Sequence, residues 1–145
     1  MVIRTVTAEY STLGENIIVC RLFENALVDT TEIKENYEAT MKCADGKPYV
    51  ALVDARCHVT VTREARELAI QPEFSNLQIA QAIVTHSLAN RIVANFIIKF
   101  HKRMVPTKLF PDTKVALEWL KEKLAERGLG QGKDPRSGVN LNTEL

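Results

Sequence analysis

The fold is decided by residues 49–54, YVALVD, a run of five apolar residues that stops at an aspartate. A short apolar run that contains valines is typical of a strand buried on both faces at the centre of a parallel sheet. Pro48, directly before the run, prevents a helix from continuing into it. We therefore expect Asp54 at the carboxyl end of a central strand, where open α/β sheets collect their functional groups.

Ahead of this strand, the sequence predicts an N-terminal β-hairpin and a helix. Residues 4–10 alternate between apolar and polar side chains, and residues 17–22 are almost continuously apolar. Residues 13–16 between them contain the glycine and asparagine of a tight turn. Asp29 is a typical first residue for a helix, and the helical spacing that follows it ends at Gly46.

Behind the central strand, the chain alternates between helices and strands after a predicted loop over residues 55–61. The predicted elements are a helix over 63–70 capped by Thr62, a strand over 77–84, a helix beginning at Ser87, an edge strand over 107–110 and a helix from Pro111 to Gly128. The order ββαβαβαβα predicts an α/β fold with a mixed, mostly parallel sheet of about five strands, covered by about four helices.

The domain is expected to end near Gly128. Residues 129–145 are rich in glycine, asparagine and charged side chains and show no hydrophobic periodicity. A segment of this composition lacks the apolar surface needed for a core of its own. The sequence thus predicts a single domain over residues 1–128 and a flexible C-terminal tail over residues 129–145.

Composition and charge argue against several classes of protein. The 145 residues are 46% hydrophobic and 26% charged, as in ordinary globular domains, and the net charge of +1 gives no reason to expect nucleic acid as a partner. No window is apolar over the roughly 18 residues that a membrane span needs, and the N-terminus lacks a signal-peptide pattern. The three cysteines show no CxxC spacing. We therefore expect reduced thiols in a cytoplasmic protein.

Two stretches of the sequence resemble a known family. They are GKPYVALVDAR at 46–56 with TREAR at 62–66, and NFIIKF at 95–100 with VPTKLF at 105–110 and ALEWL at 116–120. Together with the order of strands, they make the chain similar to the STAS-like (SpoIIAA-like) proteins, the fold of the anti-sigma-factor antagonists. Within that fold, the chain resembles a bacterial group of small uncharacterised proteins.

The resemblance also implies where a regulatory residue would stand. Anti-sigma-factor antagonists carry a phosphorylatable serine, directly after an aspartate, at the start of the helix that follows the central strand. When Asp54 is aligned with the aspartate of that strand, Thr62 stands at the position of the second aspartate and Arg63 at that of the serine. Thr62 could replace the missing serine only after a shift of register. The resemblance therefore carries the fold, but not the phosphorylation switch, over to this chain.

Five residues are candidates for binding a ligand or a partner. Asp54 and Arg56 are expected at the mouth of the sheet, where a carboxylate can bind a ligand, pair with the arginine, or cap the amides of the next loop. Thr62, Arg63 and Ser87 stand at two predicted helix starts, whose exposed amides can hold a phosphate or a carboxylate. Ordinary N-capping needs the same residue types, so both interpretations stay open.

No catalytic site and no metal site is predicted. Cys57 and His58 are neighbours, and adjacent side chains of an extended segment point to opposite sides. His86 and His101 show no metal-ligand spacing with them. We therefore expect no metal and no cofactor. An enzyme that uses Asp54 and His58 as acid and base is the least favoured hypothesis.

The helix after Ser87 is unusually apolar for one that covers a sheet. Spacing of four predicts one seam toward the sheet, formed by Leu88, Ile92, Phe96 and Phe100. Three further residues widen the apolar stripe, namely Val93, Ile97 and Ile98. Either neighbouring elements or a second subunit must cover them, which makes them candidates for a dimer interface.

A basic concentration follows that helix. It consists of Lys99, Lys102, Arg103 and Lys108. Such a patch can meet an acidic partner or a phosphorylated ligand, and it can equally be a solvated surface.

The leading functional hypothesis is a non-enzymatic STAS-like module for protein interaction or regulation, present as a homodimer and able to bind a further, unidentified protein. The alternative is a protein that binds a small apolar or lipid-like molecule in a pocket beside the apolar third helix. Both hypotheses rest on a complete α/β core without a recognisable catalytic signature.

Overall fold

The computed structural model describes residues 1–101, 105–130, 133–134 and 139–140. In chain order, its strands and helices are β1 Val2–Arg4, β2 Ala8–Thr12, β3 Ile17–Leu22, β4 Ala26–Val28, α1 Thr30–Ala44, β5 Tyr49–Asp54, β6 Val59–Val61, α2 Arg63–Ala69, β7 Gln78–Val84, α3 Leu88–His101, β8 Thr107–Phe110, α4 Thr113–Glu126, β9 Lys133–Asp134 and β10 Val139–Asn140. A short 3₁₀ turn, Pro72–Ser75, lies between α2 and β7.

The main sheet has six strands in the order β1-β2-β3-β5-β7-β8. β1, β2 and β3 pair antiparallel, whereas β3, β5, β7 and β8 pair parallel. β5 therefore lies inside the parallel part, as its apolar sequence predicts. The prediction of a mixed, mostly parallel α/β sheet with four helices is confirmed, with six strands instead of about five.

The additional strand arises because residues 4–10, predicted as one strand, belong to two. A turn at Thr5 separates β1 from β2. The Thr5 amide donates to the carbonyl of Ala8 at 2.8 Å, and the Thr5 hydroxyl accepts from the Ala8 amide at 3.1 Å. A turn held by a threonine side chain contains neither glycine nor proline, so its sequence still alternates like a strand.

The prediction of a loop over residues 55–61 is wrong for its last three residues. These form β6, which pairs in parallel with β4 as a separate two-stranded sheet. Val28 and Val59 are buried in a small cluster with Ala65 of α2. Three residues are too few for a local pattern, and β6 forms because a strand distant in sequence lies beside it.

Helices lie on both faces of the main sheet. α4 covers one face, where Val50 and Leu52 of β5 pack against Leu120 and Leu124. α1 and α3 pack on the opposite face, and α2 contacts both. Each face therefore has its own apolar core, and the inner strands β5 and β7 are buried over most of their length.

β5 is not equally buried along its length. Its first four residues are buried, but Val53 and Asp54 are only half-buried. The helices therefore leave the carboxyl end of β5 partly open. Side chains at this end of β5 can therefore reach solvent.

The predicted helix boundaries agree with the structure because capping side chains define them. Asp29 and Glu32 form a reciprocal capping box at the start of α1. Asp112 accepts from the amide of Val115 at 2.9 Å at the start of α4. After α1, Asp45 and Gly46 have φ angles of 50° and 75°, the left-handed conformation that ends a helix.

The end of the domain lies close to α4. Leu129 donates from its amide to the carbonyl of Leu124 at 2.9 Å, and its side chain packs against the core under α4. β9 and β10 pair antiparallel with each other. The boundary at residue 128 and the flexible tail remain predictions. Within the described ranges, none of the helices combines the length and the apolar character needed to cross a bilayer.

Candidate functional site

Asp54 and Arg56 form a bidentate ion pair at the carboxyl end of β5. Arg56 donates from Nε to Oδ1 of Asp54 at 2.9 Å and from Nη2 to Oδ2 at 2.8 Å. The backbone amide of Arg56 also donates to Oδ1, at 3.2 Å. These hydrogen bonds hold the pKa of Asp54 below its usual value, and the paired carboxylate raises the pKa of Arg56. Asp54 therefore has two of its expected roles at once, since it pairs with Arg56 and caps the loop.

The sheet register extends this pair into a row of charges. In neighbouring strands, Arg4 lies opposite Glu9, Glu9 opposite Arg21, and Arg21 opposite Asp54. Arg21 donates to Glu9 at 2.7 Å, and Arg4 approaches the same carboxylate at 4.0 Å. We call these four residues and Arg56 the charge row. Its signs alternate, so each carboxylate is neutralised by an arginine.

An aromatic ring lies beside the charge row. The guanidinium carbons of Arg4 and Arg21 are 5.1 and 5.8 Å from the ring centroid of Phe23. Such contacts hold guanidinium groups in place while they stay accessible to water. Sequence reasoning found Asp54 and Arg56 but missed Arg4, Glu9 and Arg21. The alternation along each strand marks them as exposed, but only the pairing of the strands aligns them.

The loop after Asp54 is held by several elements. Asn90 of α3 is buried and donates from Nδ2 to the carbonyls of Ala55 at 2.9 Å and Cys57 at 2.7 Å. The amide of His58 donates to Glu24 at 3.1 Å, and its carbonyl accepts from the amide of Asn25 at 2.7 Å. These bonds fix the loop, and with it Arg56. An asparagine within a mostly apolar helix is the sequence signal for this role.

Cys57 is a half-buried free thiol in this loop. Its Sγ lies 3.3 Å from the carbonyl of Leu22, to which it can donate. Partial burial raises the pKa of Cys57, so the thiol stays protonated at neutral pH. No hydrogen bond between Cys57 and His58 is found in the described part of the chain. His86 instead places Nε2 2.9 Å from the carbonyl of Pro111. Within the described ranges, no group of three or more metal-ligating side chains occurs.

Thr62 caps α2 and also contacts the cap of α1. Its hydroxyl accepts from the amide of Ala65 at 3.1 Å and donates to Oδ1 of Asp29 at 2.8 Å. A phosphate attached there would lie beside the Asp29 carboxylate and lose the hydroxyl proton that joins the two caps. Arg63 is exposed and pairs with Glu67 at 3.1 Å.

Ser87 is the corresponding cap of α3. Its hydroxyl accepts from the amide of Asn90 at 3.2 Å, and its own amide donates to the hydroxyl of Thr85 at 3.2 Å. Thr62 and Ser87 are therefore N-caps in this structure. Whether either position also holds an anionic ligand remains a prediction.

The rotation of α3 differs from the predicted one. Leu88 and Ile92, expected to face the sheet, are 66% and 63% exposed. Asn90 and Ala94 face inward instead, because the two hydrogen bonds from Asn90 to the loop after β5 set the orientation of the helix. The predicted inward seam is wrong at these two positions. A helix with apolar residues on most sides does not reveal which side is inside.

The predicted interface residues are only partly described. Val93 and Ile98 are half-buried, and Val93 lines a small cavity beside α3 together with Val53 and Ile83. The side chain of Ile97 lies outside the described part of the structure. Among the side chains of α3 that the structure describes, Leu88 and Ile92 are the large apolar ones exposed to solvent.

The basic patch is also described only in part. Lys99 is exposed on α3, and Lys108 is exposed on β8 with its Nζ 5.8 Å from the ring centroid of Phe110. Lys102 and Arg103 lie outside the described residues. The patch therefore remains a prediction.

Comparisons with known proteins agree with this fold. A family model described as a domain of unknown function, DUF7793, matches residues 11–124. Among solved structures, the chain is similar to an uncharacterised protein of the DUF3478 family from Shewanella loihica PV-4, which has a SpoIIAA-like fold. The TM-score is 0.54 at 16% sequence identity, and the match covers 83% of this chain and 90% of the other. No curated protein matches the sequence. The chain belongs to the DUF7793 family and has a STAS-like, SpoIIAA-like fold.

Proposed function

We propose that this protein is a non-enzymatic interaction module that acts by binding proteins, and that it forms a homodimer through α3. The exposure of Leu88 and Ile92 supports this proposal. They lie four residues apart, so they are neighbours on one side of the helix. Adjacent exposed apolar residues form a continuous surface, which marks a site of protein contact more often than scattered apolar residues do.

The size of this surface predicts a reversible dimer. Covering a leucine or an isoleucine contributes about 1.5–3 kcal/mol relative to leaving it in water, and a two-fold axis counts each contact twice. Association also costs translational and rotational freedom, and the surface is small. We therefore expect dissociation in the micromolar range.

The chemistry at the carboxyl edge of the sheet supports a function other than catalysis. The carboxylates of the charge row are engaged by arginines, and the lowered pKa values of Glu9 and Asp54 make them weak bases. The Cys57 thiol stays protonated, so it is a poor nucleophile. An ordered row of alternating charges is better suited to recognising a protein surface than to transferring protons.

Sedimentation velocity tests the homodimer. Wild-type protein at tens of micromolar should sediment mainly as a dimer, and Leu88→Lys or Ile92→Lys should shift it to monomer with an unchanged circular dichroism spectrum. Val115→Lys is the matched control, because Val115 is an exposed apolar residue, 43% accessible, on α4 at the opposite sheet face. Monomeric wild type, or dimers in both lysine variants of α3, would contradict the proposal.

Salt dependence separates a second copy from a different partner. From Leu88 to His101, α3 carries Arg91 and Lys99 but neither aspartate nor glutamate. Two copies of α3 in contact bring like charges together, so added salt should strengthen the dimer. A contact with an acidic protein surface would weaken with salt instead.

The alternative, a carrier for an apolar molecule beside α3, has less support. The cavity lined by Val93, Val53 and Ile83 has a volume of about 90 Å³. Pockets for drug-sized ligands are typically about 300–1,000 Å³. Native mass spectrometry of protein purified from its own cytoplasm tests this alternative, which requires a retained molecule that the cavity-filling variant Val93→Phe loses.

A further inference from the structure

A second cavity lies on the same face of the sheet, under α1. It has a volume of about 180 Å³, compared with about 90 Å³ beside α3. Its walls come from α1, from the inner strands of the sheet and from the segment after α2. Its lining includes Tyr10, Cys20, Tyr37, Phe74, Gln78 and Gln81. An apolar cavity of about 150 Å³ can hold benzene, so this space accommodates a molecule with one ring.

The lining of this cavity is polar in places but uncharged. None of the described residues that line it is an aspartate, glutamate, lysine, arginine or histidine. Burial raises the pKa of Cys20 to about 12 and raises the pKa of Tyr10 and of Tyr49 as well. These groups therefore stay neutral at physiological pH. An ion that entered would lose its hydration without gaining an opposite charge, so the cavity favours neutral molecules.

Two glutamines give the cavity a specific hydrogen-bonding edge. Gln78 and Gln81 lie on β7, an interior strand whose other residues are apolar. Gln78 donates from Nε2 to Oε1 of Gln81 at 3.3 Å. In the described part of the chain, neither amide makes another side-chain hydrogen bond. Oε1 of Gln78 therefore remains as an acceptor atom, and Nε2 of Gln81 remains as a donor atom with both of its N–H groups. If O and N are exchanged in both amides, one residue still keeps a donor atom and the other an acceptor atom, with the two roles swapped.

The position of Gln81 makes a purely structural role a poor explanation. Ala80 and Ala82 on either side of it are completely buried. An apolar residue at position 81 would continue the core, whereas the half-buried amide of Gln81 presents a hydrogen-bonding group to the cavity. A bound molecule with a matching acceptor can hydrogen-bond to this amide in place of water.

Two aromatic rings complete the site. Tyr37 of α1 and Phe74 of the 3₁₀ turn contact each other edge to face, with ring centroids 5.2 Å apart and an interplanar angle of 81°. Both rings line the cavity. Aromatic walls of this kind favour a planar aromatic guest over a flexible chain.

We propose that the cavity under α1 is a binding site for a small, uncharged heteroaromatic molecule with an amide-like edge, about the size of nicotinamide or uracil. The donor and acceptor of the glutamine pair recognise the edge, and the aromatic rings contact the face. The proposal is independent of the homodimer, since the cavity lies under α1 and the exposed apolar surface belongs to α3.

Titration of isotope-labelled protein followed by ¹H–¹⁵N correlation spectra tests this site. The probes are nicotinamide and uracil, with benzene as the ring without a polar edge and benzoate as the charged ring of similar size. Nicotinamide or uracil should shift the amides around Gln78 and Gln81 in a saturable manner at millimolar concentrations or below. Benzoate should cause no saturable shift, and benzene should bind at least tenfold more weakly than the preferred probe.

Variants separate a binding role from a structural one. Gln81→Leu should raise the melting temperature of the free protein, since it removes a half-buried amide, and should weaken binding at least tenfold. Gln71→Leu is the matched control, because Gln71 is exposed and lies outside the cavity lining. Ala69→Phe fills the cavity and should abolish binding even if Gln81→Leu folds poorly. Absence of saturable shifts with nicotinamide and uracil, equal binding of benzene, or unchanged binding by Gln81→Leu would overturn the proposal.

Discussion

The two faces of the main sheet are built differently from the same strands. Under α4, Val50 and Leu52 of β5 pack directly against Leu120 and Leu124, and these side chains are almost inaccessible. On the opposite face, three helices share the surface and leave cavities of about 180 and 90 Å³. A single helix therefore fills its face, whereas the three helices on the opposite face leave gaps between them.

We infer from this difference that the two faces have different roles. The face under α4 contributes more to the stability of the domain than the opposite face, because close packing there excludes water and voids. The opposite face holds the cavity with the two glutamines, the buried Asn90 and the exposed residues of α3.

The same substitution on neighbouring parts of β5 compares the two faces directly. Val50→Ala should lower the free energy of unfolding by about 2–3 kcal/mol, since Val50 is completely buried under α4. Val53→Ala should lower it by about 1 kcal/mol or less, because Val53 is half-buried and already lines both cavities. Urea denaturation of the two variants measures the difference. Equal losses would show that both faces are packed alike.

Removing the side chain that holds the loop after β5 should have a smaller effect. Asn90→Ala leaves the carbonyls of Ala55 and Cys57 without their donor, which should cost about 1–3 kcal/mol. Asn95→Ala on the exposed side of the same helix is the control and should change little. Both variants can be compared by thermal and urea denaturation. An Asn90→Ala variant as stable as Asn95→Ala would mean that Asn90 does not fix α3 and the loop.

The smallest expected effect is the loss, at acid pH, of the stability that the Asp54–Arg56 ion pair contributes. Because the pKa of Asp54 is lowered in the folded state, its ion pair stabilises the fold above the unfolded value of about 3.9. That contribution is lost as the pH falls through the lower folded-state pKa. The difference in stability between wild type and Asp54→Asn should therefore shrink on acidification below about pH 4. Urea denaturation at several pH values measures it, and a constant difference would contradict the ion pair.

Sequence reasoning was successful where the signals are local. The apolar run of β5, the capping residue Asp29 and the predicted start of the last helix at Pro111 define their elements within a few residues, and the structure agrees. It failed where contacts between distant segments determine the structure. The pairing of β6 with β4, the alignment of the charge row and the rotation of α3 by Asn90 each depend on contacts between residues more than thirty positions apart or on different strands.

The same limit holds for the charge row and for the exposed residues of α3. Asp54 and Arg56 were found because a strand end is visible in the sequence, whereas Arg21 and Glu9 became visible only through the register. The exposed position of Leu88 could not be predicted because α3 is apolar on most sides. Periodicity alone does not specify the inner side of such a helix.

The central claim, self-association through α3, is tested most directly by amide hydrogen exchange at two protein concentrations. One sample is diluted well below micromolar concentration, and the other is kept at tens of micromolar. We predict that concentration slows exchange in peptides that contain residues 88–95, while peptides from α4 exchange equally in both samples. Exchange that is independent of concentration in residues 88–95 would contradict the claim.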